Sequence, residues 1–383
     1  MIVDGSLLVR DGILLEVGPT RRVENLALAR QAIEIDAAGR VVMPGFVDSH
    51  THLLFPPAGL TDGDIENQVR AVHATTAMQL TMRARVYLQA MARHGTTTLE
   101  VKTGAGADGS AEMKILRVLA ELKKEPIDIV PSFLFRAPPS AFSEEAQFAA
   151  MWHRVCAEFL PNISRRGWAN FADLAWDRFC MHEQAFIGYM QVAHSRGLGC
   201  KLHAEGQEIS AAVAAAAECR VTSIDHLEHA TAANAKALGQ CEAVATLLPS
   251  ASFHRGDEYA PARQLIDAGA AVALATNFNP NQTPSLSMQT VLALACQQMG
   301  MTPAEAMSAT TINGAHALGC AHRLGSLEHG KQADLLFLNT SDYRDLAHSL
   351  GTNLVHMAMK RGEVIYEEGE VAPRPAEDLP RTW

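Results

Sequence analysis

Short apolar runs alternate with segments of helical periodicity through the whole middle of the chain, and this alternation restricts the fold more than any other feature. Strands are expected over 45–50, 97–102, 127–135, 172–179, 199–203, 223–226, 243–248 and 271–275, with helices among them over 65–94, 110–122, 183–196, 210–217 and 261–268. Parallel strands need crossover connections, usually helices, so repeated βα units specify a parallel sheet. Eight such strands fit a closed (β/α)8 TIM barrel better than an open doubly wound sheet. No G-x-G-x-x-G follows an early strand and no G-x-x-x-x-G-K-[ST] occurs. The phosphate-cradling turns of nucleotide-binding sheets are therefore missing.

The two ends have another texture. Near the start, runs over 6–10 and 13–18 flank Asp11-Gly12, a strong hairpin signal. Near the end, runs over 333–338, 356–360 and 363–366 include an Arg361-Gly362 turn, and 373–383 reads as an irregular tail. The expectation is one small composite β-sandwich domain from 1–43 plus 326–383, around a TIM-barrel domain over 44–325. A chain of 383 residues with 48% hydrophobic content suits a barrel with such an accessory domain. The net charge of −10 argues against nucleic acid or an anionic membrane as the main partner; the expected partner is a small-molecule substrate. Seven dispersed cysteines without a C-x-x-C pair read as reduced thiols. With no signal-peptide pattern at the start and no long apolar span, the expected location is cytoplasmic.

His50 and His52 stand two residues apart at the end of an apolar strand, behind Pro44-Gly45. Residues i and i+2 of a strand share a face, and the C-terminal strand ends of a TIM barrel hold its active site. Two imidazoles there make half of a zinc-type site. His203 ends another strand (LGCKLH) and supplies the third ligand. His226 ends a further one (TSIDH). Its candidate roles are metal ligand, proton-transfer group or donor polarising a substrate carbonyl, the last two favoured. The other histidines fall on expected helices or loops and read as structural.

Motifs along nearly the whole chain carry a resemblance: 44–55 (PGFVDSHTHLLF), 95–104 (GTTTLEVKTG), 201–204 (KLHA), 225–228 (DHLE), 247–250 (LLPS), 273–280 (ALATNFNP), 310–313 (TTIN) and 325–334 (GSLEHGKQAD). The chain resembles the imidazolonepropionase branch of the amidohydrolase superfamily. The resemblance implies a TIM barrel with a composite β-sandwich, and a metal held by His50, His52, His203 and the residue after the eighth strand. It implies one divalent cation, zinc with iron or manganese as alternatives, and hydrolysis of a C–N bond in a cyclic amide, lactam or amidine-like molecule by a metal-activated water. It also favours a homodimer.

This chain departs from that pattern. The family carries an aspartate after the eighth strand, where Asn277 stands in ATNFNP. An amide can offer oxygen to a metal but has no useful basicity, so the chain reads as an inactive Asp-to-Asn form, a natural silent relative, or an enzyme with another base. Glu205, two residues past His203, is the nearest substitute, and His226, Asn277 and Glu205 form the candidate catalytic set. The family's arginine after H-T-H-L, tyrosine in K-S-G-Y-G and histidine in L-G-A-H-A are replaced by residues of 56–59, 102–106 and 134–138. The pocket therefore reads as roomier and more apolar, which argues against imidazolonepropionate itself. Lys102, Thr103, Arg136 and Asn279 are the expected substrate-side residues, Arg136 as an anion clamp. Lys102 also raises the alternative of a carboxylated lysine bridging two metals, although one metal fits K-T-G better. The alternative functions are a catalytically silent binding protein, or a cyclase or dehydratase running the same chemistry in reverse.

Overall fold

The computed structural model describes residues 1–56, 65–105, 108–136, 145–176, 183–206 and 209–369. Eight parallel strands pair in chain order: β4 (Phe46–Asp48), β5 (Thr96–Lys102), β6 (Asp128–Phe135), β7 (Phe171–Ala175), β8 (Gly199–Ala204), β9 (Ser223–His226), β10 (Val244–Leu247) and β11 (Val272–Leu274). Helices follow the strands, giving the (β/α)8 arrangement. Strand alternation sends Leu99, Val101, Cys200 and Leu202 outward into the main apolar core with Leu88, Leu116, Leu119 and Phe186 of the surrounding helices. The inward positions are different. Glu100, Lys102, Asp173, Lys201 and Asp225 fill the barrel with charge, and all are buried.

The sheet's end strands, β4 and β11, close the barrel through one side chain and two backbone bonds just past the strands. Asp48 accepts from the Thr276 amide at 3.0 Å and from its hydroxyl at 2.6 Å. Just beyond, the Asn277 amide donates to the His50 carbonyl at 3.0 Å and the His52 amide to the Phe278 carbonyl at 2.7 Å. Thus β4 is shorter than the 45–50 run because its last residues leave the ladder to form this seam.

Two other boundaries differ from expectation. The single helix expected over 65–94 is two, Ile65–Ala74 and Ala77–Arg93. Thr76 is extended and forms a capping box with Gln79, each side chain satisfying the other residue's amide. The strand expected over 172–179 ends at Ala175, and 177–179 lie outside the described residues.

Outside the barrel, β1 (Gly5–Arg10) and β2 (Ile13–Pro19) form a hairpin, while β3 (Val41–Pro44), β12 (Leu335–Leu338), β13 (Val355–Lys360) and β14 (Glu363–Glu367) form an antiparallel sheet in the order β14-β13-β12-β3. Asp11 and Gly12 have φ of 53° and 77°, and Arg361 and Gly362 have 50° and 77°. Two positive φ values in succession match the right-handed twist of the flanking strands, which is why glycine stands in each turn. Leu14 packs with Leu335, Phe337, Met357 and Met359, so residues from both ends share one apolar cluster. Among the described residues no helix is long and apolar enough to cross a membrane.

Candidate metal centre

His50 follows β4 and is completely buried; its Nδ1 lies 2.8 Å from Asp225 Oδ2. A carboxylate on one imidazole nitrogen fixes the ring and turns the other nitrogen outward, and His50 Nε2 is buried without a hydrogen-bond partner among the described residues. His203 is the penultimate residue of β8, with Nδ1 likewise buried and unpartnered among the described residues. His226 ends β9 with φ of 83°, and Leu227 follows at 69°. Positive φ at two non-glycine residues is strained backbone, of the kind that gathers at functional sites. Here it breaks strand alternation, so consecutive residues Asp225 and His226 both reach the same centre. Ring centroids of His226 lie 4.3 Å from His203 and 5.4 Å from His50. The ligand atoms of His50, His203 and His226 all lie within 4.8 Å of one another.

His52 stands at the edge of this group, its ring centroid 5.3 Å from His50 and 6.2 Å from His203, with Nδ1 buried and unpartnered. Asn277 adopts φ of 52°, a conformation asparagine tolerates, and its amide is bonded to the His50 carbonyl. The structure therefore gathers His226 most tightly with His50 and His203, although the sequence favoured proton transfer for it over ligation.

The donor chemistry fits a divalent cation. Burial, with Lys102 adding to it, holds His50 well below the ordinary imidazole value. Burial, then His226, does the same for His203, and burial with Arg136 and Lys102 takes His52 down to about 3. Neutral imidazoles are the ligating form. An unpartnered buried nitrogen is costly, and among the described residues each of the four histidines has one: Nε2 of His50 and His226, and Nδ1 of His52 and His203. His226 alone shifts the other way. Burial lowers it, but the carboxylates of Glu228 and Glu205 outweigh that and raise it. Its Nδ1 lies 3.1 Å from Glu228 Oε1, and its Nε2 lies 3.6 Å from Glu205 Oε1.

Glu205 and Arg136 do reach the centre. Arg136 Nη2 lies 2.9 Å from Glu205 Oε2 and 2.8 Å from His203 Nε2. Desolvation pushes the Glu205 carboxyl up, but Arg136 and the two histidines hold it well below the usual carboxylate range.

The other expected substrate-side residues are placed elsewhere. Lys102 is enclosed in the barrel, because β5 alternation turns it inward onto Asp173, Asp225 and Glu100. Thr103 is buried, with its hydroxyl accepting from the Leu134 amide at 3.0 Å, and joins β5 to β6. Asn279 is buried and accepts from the Asn281 amide at 2.9 Å, closing a turn. The divergent positions 57–59, 106 and 137–138 lie outside the described residues.

The sequence reading missed Asp48, Asp173, Asp225, Glu228 and Arg255, the last placing Nη2 3.4 Å from Glu228 Oε1. The DHLE motif already contained Asp225 and Glu228, two and five residues after Ser223. Asp173 carried no signal, since an aspartate in a short strand looks solvent-facing until the barrel closes around it.

A family model for the amidohydrolase family matches residues 41–365. The chain belongs to the amidohydrolase family. Among its relatives, this amidohydrolase is 38% identical over 373 residues to imidazolonepropionase from Deinococcus radiodurans, covering 93% of this chain and 90% of that protein. It is 36% identical to imidazolonepropionase from Geobacillus kaustophilus, covering 97% and 92%. In fold it is similar to atrazine chlorohydrolase from Arthrobacter aurescens, solved as a zinc complex, with TM-score 0.75 and 16% identity over 96% of this chain and 91% of that one. The amidohydrolase is thus imidazolonepropionase-like, a hydrolase acting on carbon–nitrogen bonds other than peptide bonds.

Proposed function

We propose that this amidohydrolase hydrolyses a C–N bond of a cyclic amide, lactam or amidine-like small molecule in the cytoplasm, using one divalent cation, zinc in preference to iron or manganese. The observation that carries the reading is the set of buried, unpartnered nitrogens on His50, His52 and His203 where the barrel strands end, with the His226 ring beside them, 4.3 Å from that of His203. His50, His203 and His52 would hold the cation, with Asn277 beside them as a neutral oxygen donor. A bound divalent cation lowers the pKa of a water toward about 7 and polarises a carbonyl.

The chain's own proton-transfer group is His226. Glu228 fixes its Nδ1, leaving Nε2 to take a proton from water and return it to the leaving nitrogen. His226 suits this better than Glu205, because a carboxylate pinned by Arg136 is a weak base. Asn277 can orient a water but cannot accept its proton. Arg136 marks the side that receives an anionic substituent of the substrate. Lys102 supports one metal rather than a carbamate-bridged pair. Burial disfavours its charge, yet Asp173, Asp225 and Glu100 hold it well above its ordinary value, and carbamate formation needs the neutral amine.

Metal analysis after metal-supplemented expression should find one equivalent; less than about half would sink the metal reading. Asn277→Asp and the parent chain should then be assayed on a panel of cyclic amides and lactams. Activity in both supports His226 as the base. Activity only with Asn277→Asp identifies a silenced enzyme, and activity in neither favours the binding-protein alternative.

A further inference from the structure

Directly beneath the histidines lies a charged cluster that the proposed reaction leaves unused. Lys102 Nζ stands 2.6 Å from Asp173 Oδ2, 2.8 Å from Asp225 Oδ2 and 3.2 Å from Glu100 Oε2. Lys201 Nζ adds a contact of 2.6 Å to Glu100 Oε2. All five side chains are enclosed, so three carboxylates share two ammonium groups without water to help. Buried carboxylates are tolerable only when paired or bound to a cation.

Two further features separate this cluster from an ordinary ion-pair network. Among the described residues Asp173 Oδ1 is buried with no hydrogen-bond partner, and so is Nδ1 of the neighbouring His203. The ligand atoms of Asp173, His203 and Asp225 lie within 4.8 Å of one another, which makes a second donor set sharing His203 with the first. Two carboxylates and an imidazole are a suitable donor set for zinc or manganese. Lys102 brings its ammonium into contact with both of those carboxylates.

We propose that Lys102 is a resident cation plugging a second divalent-metal site formed by Asp173, Asp225 and His203, and that it thereby keeps this barrel mononuclear. The inference rests on the metal reading above only in that His203 serves both sets, offering Nδ1 to this one and Nε2, which Arg136 contacts in the parent chain, to the first. Removing the ammonium leaves a buried excess of negative charge that a divalent ion offsets. Lys102→Met shortens the side chain by one atom, removing the ammonium and its charge while keeping most of the apolar stem. Adding Asp173→Asn removes one anionic ligand and returns the net charge of the cluster to that of the parent chain.

The test is metal stoichiometry by elemental analysis after dialysis against Mn2+ or Zn2+, on the full chain. Lys102→Met should bind one equivalent more than the parent chain, and Lys102→Met with Asp173→Asn should return to the parent value. The difference between chains is the readout, so it stands even if the parent proves metal-free, a result that would count against the histidine site alone. Lys102→Met that folds with the parent's circular dichroism yet holds no extra metal overturns the proposal. If Lys102→Met is unfolded without metal, refolding with Mn2+ decides: recovery supports the plugged site, and no recovery overturns it.

Discussion

Glu228 is what separates His226 from the other histidines at the barrel mouth. Its carboxylate sits 3.1 Å from His226 Nδ1, while Arg255 approaches the same oxygen at 3.4 Å. A carboxylate behind a reacting imidazole fixes the ring, and losing such a partner typically costs about 10–100-fold. Glu228→Gln should therefore lower kcat by about that factor with little change in KM, measured on whichever panel substrate the parent turns over. An unchanged kcat would remove His226 from the proton-transfer role. Glu112 makes a second residue-scale case, independent of the metal. It is fully enclosed, and burial pushes it from 4.5 up to about 8, only partly offset by bonds from Thr103, Ala105 and Gly104. A carboxyl raised in the fold contributes stability that is complete below its unfolded value of 4.5 and lost as pH rises through about 8. Glu112→Gln should thus raise Tm relative to the parent at mildly alkaline pH and leave it nearly unchanged in mild acid. The gap corresponds to a few kcal/mol in order of magnitude. Melting curves showing the same pH dependence for both chains would contradict this.

At the scale of elements, the seam between β4 and β11 sets the distance between the two halves of the proposed metal centre. The Thr276 hydroxyl donates to Asp48 at 2.6 Å and accepts from the Phe278 amide at 3.0 Å. Thr276→Val keeps the shape and removes both bonds, leaving Asp48 and the Phe278 amide short of partners at a cost of about 1–3 kcal/mol. Because Asn277 directly follows Thr276 and His50 lies two residues past Asp48, metal affinity should fall with stability, and Thr276→Ser should preserve both. Urea denaturation and metal titration on the two variants check this; equal behaviour would show that the backbone bonds close the seam unaided. The same region shows what was legible in the sequence. Apolar runs marked the strands, and His50 with His52 marked a strand end, because both are local patterns. The seam was not legible, since Asp48 and Thr276 are far apart in the chain. The Thr76 break was written locally as Thr-x-x-Gln, but a continuous helical periodicity masked it. The charged barrel interior was hidden for a different reason. Glu100, Lys102, Asp173, Lys201 and Asp225 each look solvent-facing in their own strand, and only closure of the barrel pairs them.

At the scale of the whole molecule, the barrel and the antiparallel sheet are joined by charge as well as by apolar contact. Lys360 of β13 is 3% exposed, and its ammonium lies 2.7 Å from Asp334, 2.9 Å from Asp128 and 3.2 Å from the Thr98 hydroxyl. Asp128 opens β6 and Thr98 lies in β5, so one lysine ties two barrel strands to the outer sheet. Truncating one member of such a set leaves its partners buried without charge compensation, which typically costs about 3–5 kcal/mol. Lys360→Met should therefore lower Tm strongly at neutral pH. The acid limb supplies the sign. Burial raises the Asp128 carboxyl, but Lys360 and Arg361 outweigh it and hold it below its ordinary value. Its contribution is thus present above the unfolded carboxylate value and lost as pH falls through the lower folded value. In Lys360→Met much of that contribution is already gone. The Tm difference between parent and variant should shrink as pH drops through the carboxylate range, and a difference constant from neutral pH into acid would assign the loss to packing of the lysine stem instead.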